Sequence, residues 1–143
     1  MAQRLDPTTT ETYGLDCLLC GEEAEAYIQD LDTAAQKELS ESPHSGSIGW
    51  LNYLYTSLLI EERADLFYGA YEKVLSEIGL GGALKALIKD ESKHLAQMAR
   101  KIKEVDPGAG PRLERLRKVE RAGFGAFEEA LWAELQRTQA KVG

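Results

Sequence analysis

The segment Leu87–Met98 reads LIKDESKHLAQM, and it places two polar residues where an amphipathic helix should be apolar. Glu91 and His94 are three residues apart and fall among apolar residues at helical spacing, so their side chains share one face of the predicted helix. A buried charge costs several kcal/mol unless it is paired or binds a metal. The pattern therefore predicts that Glu91 and His94 share a partner. The apolar positions of this helix are Leu84, Leu87, Ile88, Leu95, Met98, Ile102 and Val105.

The preceding helical segment supplies a candidate partner. It reads LLIEERADLFYGAY from Leu58 to Tyr71 and sets Glu61 or Glu62 among apolar residues. The chain breaks at Gly79, and residues of two antiparallel helices are level when they are equidistant from the turn. Glu61 should therefore lie level with the Glu91–His94 pair to within about one helical turn. Two carboxylates and an imidazole form a ligand set suited to iron or manganese.

Clusters of turn-forming residues divide the chain into four helical segments. The segments are predicted at about 16–39, 48–77, from after Gly79 to about 105, and 112–141, and no run of alternating β-branched residues predicts a strand. The connections are short, so neighbouring helices should be antiparallel. The length of 143 residues suits one domain. We predict a single all-α domain over 1–143, a ferritin-like four-helix bundle, with residues 1–14 disordered or loosely held.

Composition bounds the partners and the compartment. The formal net charge of −7 and a pI near 4.9 argue against nucleic acid or an anionic membrane as the main partner. The N-terminus, MAQRLDPTTTETYG, lacks the apolar core of a secretory signal. No apolar run has the length of a membrane span. These features predict a cytoplasmic protein.

The segment EERADLFY followed by DESKH resembles the first half of a rubrerythrin or ferritin-like diiron-carboxylate domain. The matching positions are Glu61, Ala64 and the Phe67–Tyr68 pair, followed by the ExxH of Glu91 and His94. The resemblance covers about residues 50–105. It implies two iron ions per site (or an iron/manganese pair), held by Glu61, Glu91 and His94, with Glu61 favoured over Glu62.

The same resemblance implies a reaction. It suggests a ferroxidase-type or peroxidase-type oxidoreductase that oxidises Fe(II) or reduces O₂ or peroxide at the metal pair. Tyr68 would lie one or two turns from the metals, as a hydrogen-bond donor to a ligand or a redox-active neighbour. A separate electron donor would then be needed, unless Cys17 and Cys20 contribute, since the sequence shows no four-cysteine electron-transfer module.

One feature departs from the family pattern: the chain has a single ExxH where such domains carry two. The only other histidine is His44, which we interpret as exposed in the Ser/Pro/Gly loop. The second half of the site would come from Glu22, Glu25 and Glu120 in a rearranged helix order, or from a second chain. Encapsulated ferritins share such a site between two hairpins, which implies a homodimer or higher homo-oligomer and a shell protein as a partner. A third interpretation is a helical interaction protein with a metal-free site, in which Glu91 and His94 hydrogen-bond each other and a residue such as Asp65.

Cys17 and Cys20 form a CxxC pair, which makes a thiol redox protein an alternative function. The alkylhydroperoxidase type of helical redox motif would carry histidine where Ala24 stands. The competing interpretation is two small buried residues near a helix start.

Overall fold

The computed structural model describes residues 20–41 and 47–142, which form four α-helices and no strand. The prediction of an all-α chain with four helices is confirmed. The predicted loose segment 1–14, the start of the first helix before residue 20 and His44 lie outside the described residues. The helices are α1 (Gly21–Glu41), α2 (Ile48–Glu77), α3 (Lys85–Val105) and α4 (Ala109–Val142).

The helix bounds follow from local residues. α2 begins where it was predicted to begin because Ser47 caps its first turn. The Ser47 side chain accepts a hydrogen bond from the Trp50 N–H at 3.2 Å. α4 begins at Ala109 rather than at the predicted Arg112. Pro111 therefore lies in the first turn of α4, where the missing N–H has no helical partner to lose.

Contacts divide the chain into two compact units. The larger unit, Asp32–Arg117, takes in the end of α1, all of α2 and α3, and the start of α4. Its four helical segments share one core, in agreement with the predicted four-helix bundle. The buried apolar residues of this unit are Ala35, Leu39, Leu51, Leu54, Tyr55, Leu58, Leu59, Ile102, Ala109, Leu113 and Leu116.

The other unit joins the described residues up to Leu31 with those from Lys118 onward. Its centre is an aromatic contact in which the ring of Tyr27 meets Phe124 edge-on, with centroids 5.9 Å apart. Gly123 allows this approach, since a Cβ there would lie 3.1 Å from the ring of Tyr27.

The turn between α2 and α3 fixes the register of the two helices. Gly79, with φ of +83°, ends α2 in a Schellman arrangement: its N–H donates to the Ser76 carbonyl, and the Leu80 N–H donates to the Leu75 carbonyl. No side chain within α3 caps its start, and the Glu72 carboxylate of α2 takes that role. It accepts hydrogen bonds from the backbone N–H groups of Gly82 and Leu84. Glu72 of α2 is thereby hydrogen-bonded to the turn that immediately precedes α3.

A buried polar network joins all four helical segments of the larger unit. Arg112 of α4 and Asp106 at the end of α3 are each about 1% exposed, and the Arg112 Nε donates to the Asp106 Oδ2 at 2.8 Å. The Tyr55 hydroxyl of α2 donates to the same oxygen, and Arg112 also donates to the backbone carbonyl of Glu38 in α1. Asp106 is held extended, as a residue before proline prefers, so its carboxylate can also accept from the Gly108 N–H at 3.0 Å.

Candidate metal centre

The candidate site lies on the α2–α3 hairpin, just beyond the packed core. The run of buried residues on α2 ends at Leu59, and the next turn of the helix brings Glu61 against α3. Glu61, Glu91 and His94 each offer one ligand atom, and these atoms lie within 4.8 Å of one another. The Nδ1 of His94 is 2.8 Å from the Oε2 of Glu61. The register predicted from the Gly79 break thus brings the three residues together.

Arg117 determines which of the two adjacent glutamates of α2 faces the site. Its guanidinium makes a bidentate contact with the Glu62 carboxylate, with N–O distances of 2.7 and 3.2 Å. The hydrogen bond with Glu62 raises the pKa of the Arg117 guanidinium, which therefore keeps its charge. Glu62, the reserve ligand of the sequence prediction, is therefore engaged with α4, and Glu61 is the glutamate turned towards α3.

Three carboxylate oxygens at the hairpin are shielded from solvent without a hydrogen-bond donor from the described residues. They are the Glu61 Oε2, the Glu91 Oε1 and the Asp65 Oδ1. His94 approaches the Glu61 oxygen closely, but the imidazole N–H is not aligned to donate to it. Buried acceptors without donors are rare in folded proteins, and an unsatisfied one calls for an explanation such as a bound ion. The donor deficit therefore fits a cation.

The pKa of Glu91 also favours a bound cation. Protonated Glu91 can donate a hydrogen bond to Glu61, which raises the pKa of Glu91; burial raises this pKa further, and the negative charges of Glu61 and Asp65 add to the shift. His94 opposes this shift. Two carboxylates this close do not easily remain ionised together unless a proton or a cation lies between them.

The site is more open than the sequence predicted. The side chain of His94 is 52% exposed and that of Glu61 is 31% exposed, whereas the helical pattern placed Glu91 and His94 on a buried face. Of the predicted apolar stripe of α3, only Ile102 is fully buried, and Leu87 is 43% exposed. The pattern identified the face that α3 turns towards α2 correctly, but it carried no information on what covers that face. The hairpin near its turn is open in the single chain.

The remaining candidate ligands do not belong to this group. Glu22 and Glu25 are exposed on α1, where Gln29 donates to Glu25 at 2.8 Å. Glu120 is 5% exposed and engaged with other residues. Among the described residues, the group within ligand distance contains Glu61, Glu91 and His94 and none of these three.

Tyr68 follows Asp65 on the hairpin side of α2. It is half-buried, and its ring meets that of Phe67 edge-on with centroids 6.2 Å apart. It does not contribute a ligand atom to the group. A role beside the metals stays a prediction.

The CxxC pair is only half described. Cys17 lies outside the described residues, and Cys20 precedes α1 with a positive φ of 54°. Desolvation and the negative charges of Glu23 and Glu134 raise the pKa of the Cys20 thiol. Because the thiolate is the reactive form, these surroundings disfavour a nucleophilic thiol at Cys20.

Asp65 is the residue that sequence reasoning undervalued. We assigned it only a hydrogen-bonding role in a metal-free site, yet its Oδ1 is one of the three shielded oxygens. The signal was present, since Asp65 is four residues after Glu61 and therefore on the same face of α2.

No family model, curated protein or solved structure matches this chain. None of the described helices combines the length and the apolar character needed to cross a membrane.

Proposed function

We propose that this protein binds divalent iron or manganese through Glu61, Glu91 and His94. The observation that carries the proposal is the convergence of one ligand atom from each residue within 4.8 Å. Two carboxylates and an imidazole are ligands that iron and manganese accept, and together they offset the charge of a divalent ion. Two donors bound to one ion at right angles, at bond lengths of about 2.1 Å, are about 3 Å apart. The 2.8 Å between His94 Nδ1 and Glu61 Oε2 fits that requirement.

Each residue has a distinct part in the proposed site. Glu91 is difficult to keep ionised in the metal-free chain, because Glu61 and burial raise the pKa of its carboxyl. Glu61 is fixed by the register of the hairpin, and Arg117 keeps the neighbouring Glu62 occupied. His94 lies on the open side, so the ion would be reachable by small molecules from solvent.

The bound metal would supply oxidation of Fe(II) or reduction of O₂ or peroxide, as the resemblance to diiron-carboxylate domains implies. The exposure of His94 supports such chemistry, because the oxidant must reach the metal from solvent. We therefore propose an iron-dependent (or iron/manganese-dependent) oxidoreductase or ferroxidase.

A metal-binding measurement tests the proposal. The full chain, purified without chelators and titrated anaerobically with Fe(II) or Mn²⁺, is expected to bind at least about one ion, and Glu91→Ala or His94→Ala should weaken binding about 100-fold or more. Asp90→Ala is the matched control, since it removes an exposed carboxylate next to Glu91 on the outer face of α3. Binding below about a tenth of an ion per chain, unchanged by either ligand substitution, would exclude this function.

We also propose that a second copy of this chain covers the open side of the hairpin. Phe67, Tyr71 and Val74 form a stripe at helical spacing on α2, which Ile78 extends just past the end of the helix, and each of the four is between 47% and 65% exposed. A contiguous apolar surface of this kind usually marks an interaction site. A two-fold axis through this surface would bring two ligand sets together and supply the ligands that one chain lacks.

Sedimentation equilibrium tests the self-association. The wild-type chain should sediment as a dimer or larger homo-oligomer, and Tyr71→Glu should shift it to the monomer, because the substitution places a charge in the stripe. Tyr53→Glu is the control: Tyr53 is 61% exposed on the same helix but lies at its other end. A wild-type monomer at the concentrations at which metal is bound would refute the shared site.

A further inference from the structure

The segment of α2 that carries Glu61 lies past the apolar core of the larger unit. Leu59 is the last buried residue of α2, and none of residues 60–77, all of which the structure describes, is fully buried. Small movements of this segment matter for a metal ligand. A rotation of the helix by about 20° would move a side-chain end that lies about 5–6 Å from the axis by about 2 Å, whereas metal–ligand distances tolerate only about 0.2 Å.

Arg117 extends the contact between α2 and α4 past the core. Its Nη2 is 2.7 Å from one oxygen of Glu62, and its Nε is 3.2 Å from the other. Two hydrogen bonds from one planar guanidinium fix the direction of the partner as well as its distance.

The position of Arg117 on α4 is itself well supported. Leu113 and Leu116, on the turn of α4 that precedes Arg117, are 4% and 1% exposed, so this part of the helix is anchored in the core. The Glu114 carboxylate lies 3.9 Å from the Nη1 of Arg117, on the side chain's third nitrogen. The contact with Glu62 therefore joins the open segment of α2 to an anchored part of α4.

We propose that Arg117 is a positioning residue of the metal centre, which holds Glu62 so that the preceding residue, Glu61, stays directed at α3. This inference rests on the proposed function. Adjacent residues of a helix point about 100° apart, so a segment whose Glu62 is held at α4 presents Glu61 in a defined direction. A guanidinium offers no acceptor and cannot bind the ion, so Arg117 acts on the metal through Glu62.

The charge of Arg117 by itself would have the opposite effect on metal affinity. A guanidinium repels a cation, so its removal should strengthen metal binding, and it would also release the negative charge of Glu62. Positioning through Glu62 predicts weaker binding instead. The direction of the change in affinity therefore distinguishes the two effects.

The experiment titrates the full chain with Mn²⁺ and records the electron paramagnetic resonance spectrum of the bound ion. Arg117→Gln is expected to bind Mn²⁺ about 10-fold or more weakly than the wild type, as other changes to the partners of a metal ligand do, with an altered spectrum. Arg115→Gln is the matched control, since Arg115 also makes two hydrogen bonds with one glutamate, Glu38. It should retain the wild-type affinity. Both contacts are partly exposed to solvent, so the two metal-free variants should melt at similar temperatures.

A double variant tests whether Arg117 acts through Glu62. If it does, the losses of Mn²⁺ affinity in Arg117→Gln and Glu62→Gln should not add, and the double variant should bind about as weakly as the weaker single variant. Additive losses would overturn this route.

The outcomes separate this inference from the proposed function. If the wild type binds Mn²⁺ and His94→Ala does not, but Arg117→Gln binds as tightly as the wild type or more tightly, the role of Arg117 is overturned and the proposed function stands. An equal loss of affinity in Arg115→Gln would also overturn that role, because the effect would then be general. If the wild type binds neither Mn²⁺ nor Fe(II), both proposals fail.

Discussion

Replacing Asp106 with alanine should destabilise the larger unit by about 3–5 kcal/mol, as expected when one partner of a buried ion pair is removed. The substitution would leave Arg112, which is 1% exposed, as a buried cation without its carboxylate. It would also leave the buried hydroxyl of Tyr55 without its acceptor. At about 2–4 °C per kcal/mol, the melting temperature should fall by roughly 6–20 °C. Thermal and urea unfolding followed by circular dichroism measure the loss.

The contact between Arg115 and Glu38 provides the control for the Asp106→Ala prediction. Arg115 holds the Glu38 carboxylate with two hydrogen bonds of 2.7 and 2.8 Å, but its side chain is 53% exposed. Solvent screens that contact, so Arg115→Ala should cost much less than Asp106→Ala. If the two variants lost equal stability, the buried network would not be what joins α1, α2 and the α3–α4 connection.

The pH dependence of Asp106 has a defined sign. Burial alone would raise the pKa of this carboxyl, but hydrogen bonds from Tyr55, Arg112 and the Gly108 N–H outweigh it and hold the pKa below its ordinary value. A depressed pKa means that the stabilisation is present above the pKa of the unfolded chain and is lost as the pH falls through the lower folded value. The network should therefore survive mild acid and fail only below about pH 4.

Local signals in the sequence were sufficient to predict the hairpin. Ser47 and Gly79 set the ends of α2 through contacts within a few residues, and the position of Gly79 fixed which residues face one another. The same logic identified Glu61 as level with Glu91 and His94. These inferences succeeded because caps and turns depend on neighbours in the chain.

The burial of the site could not be predicted in this way. Helical spacing shows that Glu91 and His94 face α2, but the exposure of His94 depends on what packs over the hairpin, which no local pattern encodes. The network of Tyr55, Asp106 and Arg112 escaped prediction for the same reason. Hydrogen-bonded residues in this network are as many as 74 positions apart in the sequence, as Arg112 and Glu38 are.

Replacing Glu91 with glutamine should have opposite effects on the protein without and with metal. In the metal-free chain, the substitution removes one of two adjacent negative charges and adds an amide N–H that can donate to the shielded oxygens of Glu61 or Asp65. The metal-free variant should therefore melt slightly above the wild type. With Mn²⁺ at 100 times its dissociation constant, the wild type gains about 2.7 kcal/mol, and the variant should gain little because an amide is a poor ligand.

Two controls distinguish this effect from a general change in stability. His94→Ala should also abolish the stabilisation by Mn²⁺, but it removes no carboxylate and should not raise the stability of the metal-free chain. Asp90→Gln changes an exposed acid on the same helix and should leave both melting temperatures close to the wild type. A Glu91→Gln variant that is less stable than the wild type without metal would show that Glu91 has a structural partner and is not held ready for a cation.

The pH dependence of the wild type and of Glu91→Gln gives an independent check of the role of Glu91. Glu61, burial and Asp65 raise the pKa of Glu91, so the stability that its protonated form contributes is present at low pH and is lost as the pH rises through the folded pKa. The stability gap between Glu91→Gln and the metal-free wild type should therefore close as the pH falls, because protonated glutamic acid then resembles glutamine. Over the same range, Mn²⁺ binding by the wild type should weaken, since the ion and the proton compete for one carboxylate. Unfolding and Mn²⁺ titrations across this pH range should show both trends at a common midpoint, above the ordinary pKa of a glutamate, if one carboxylate controls both.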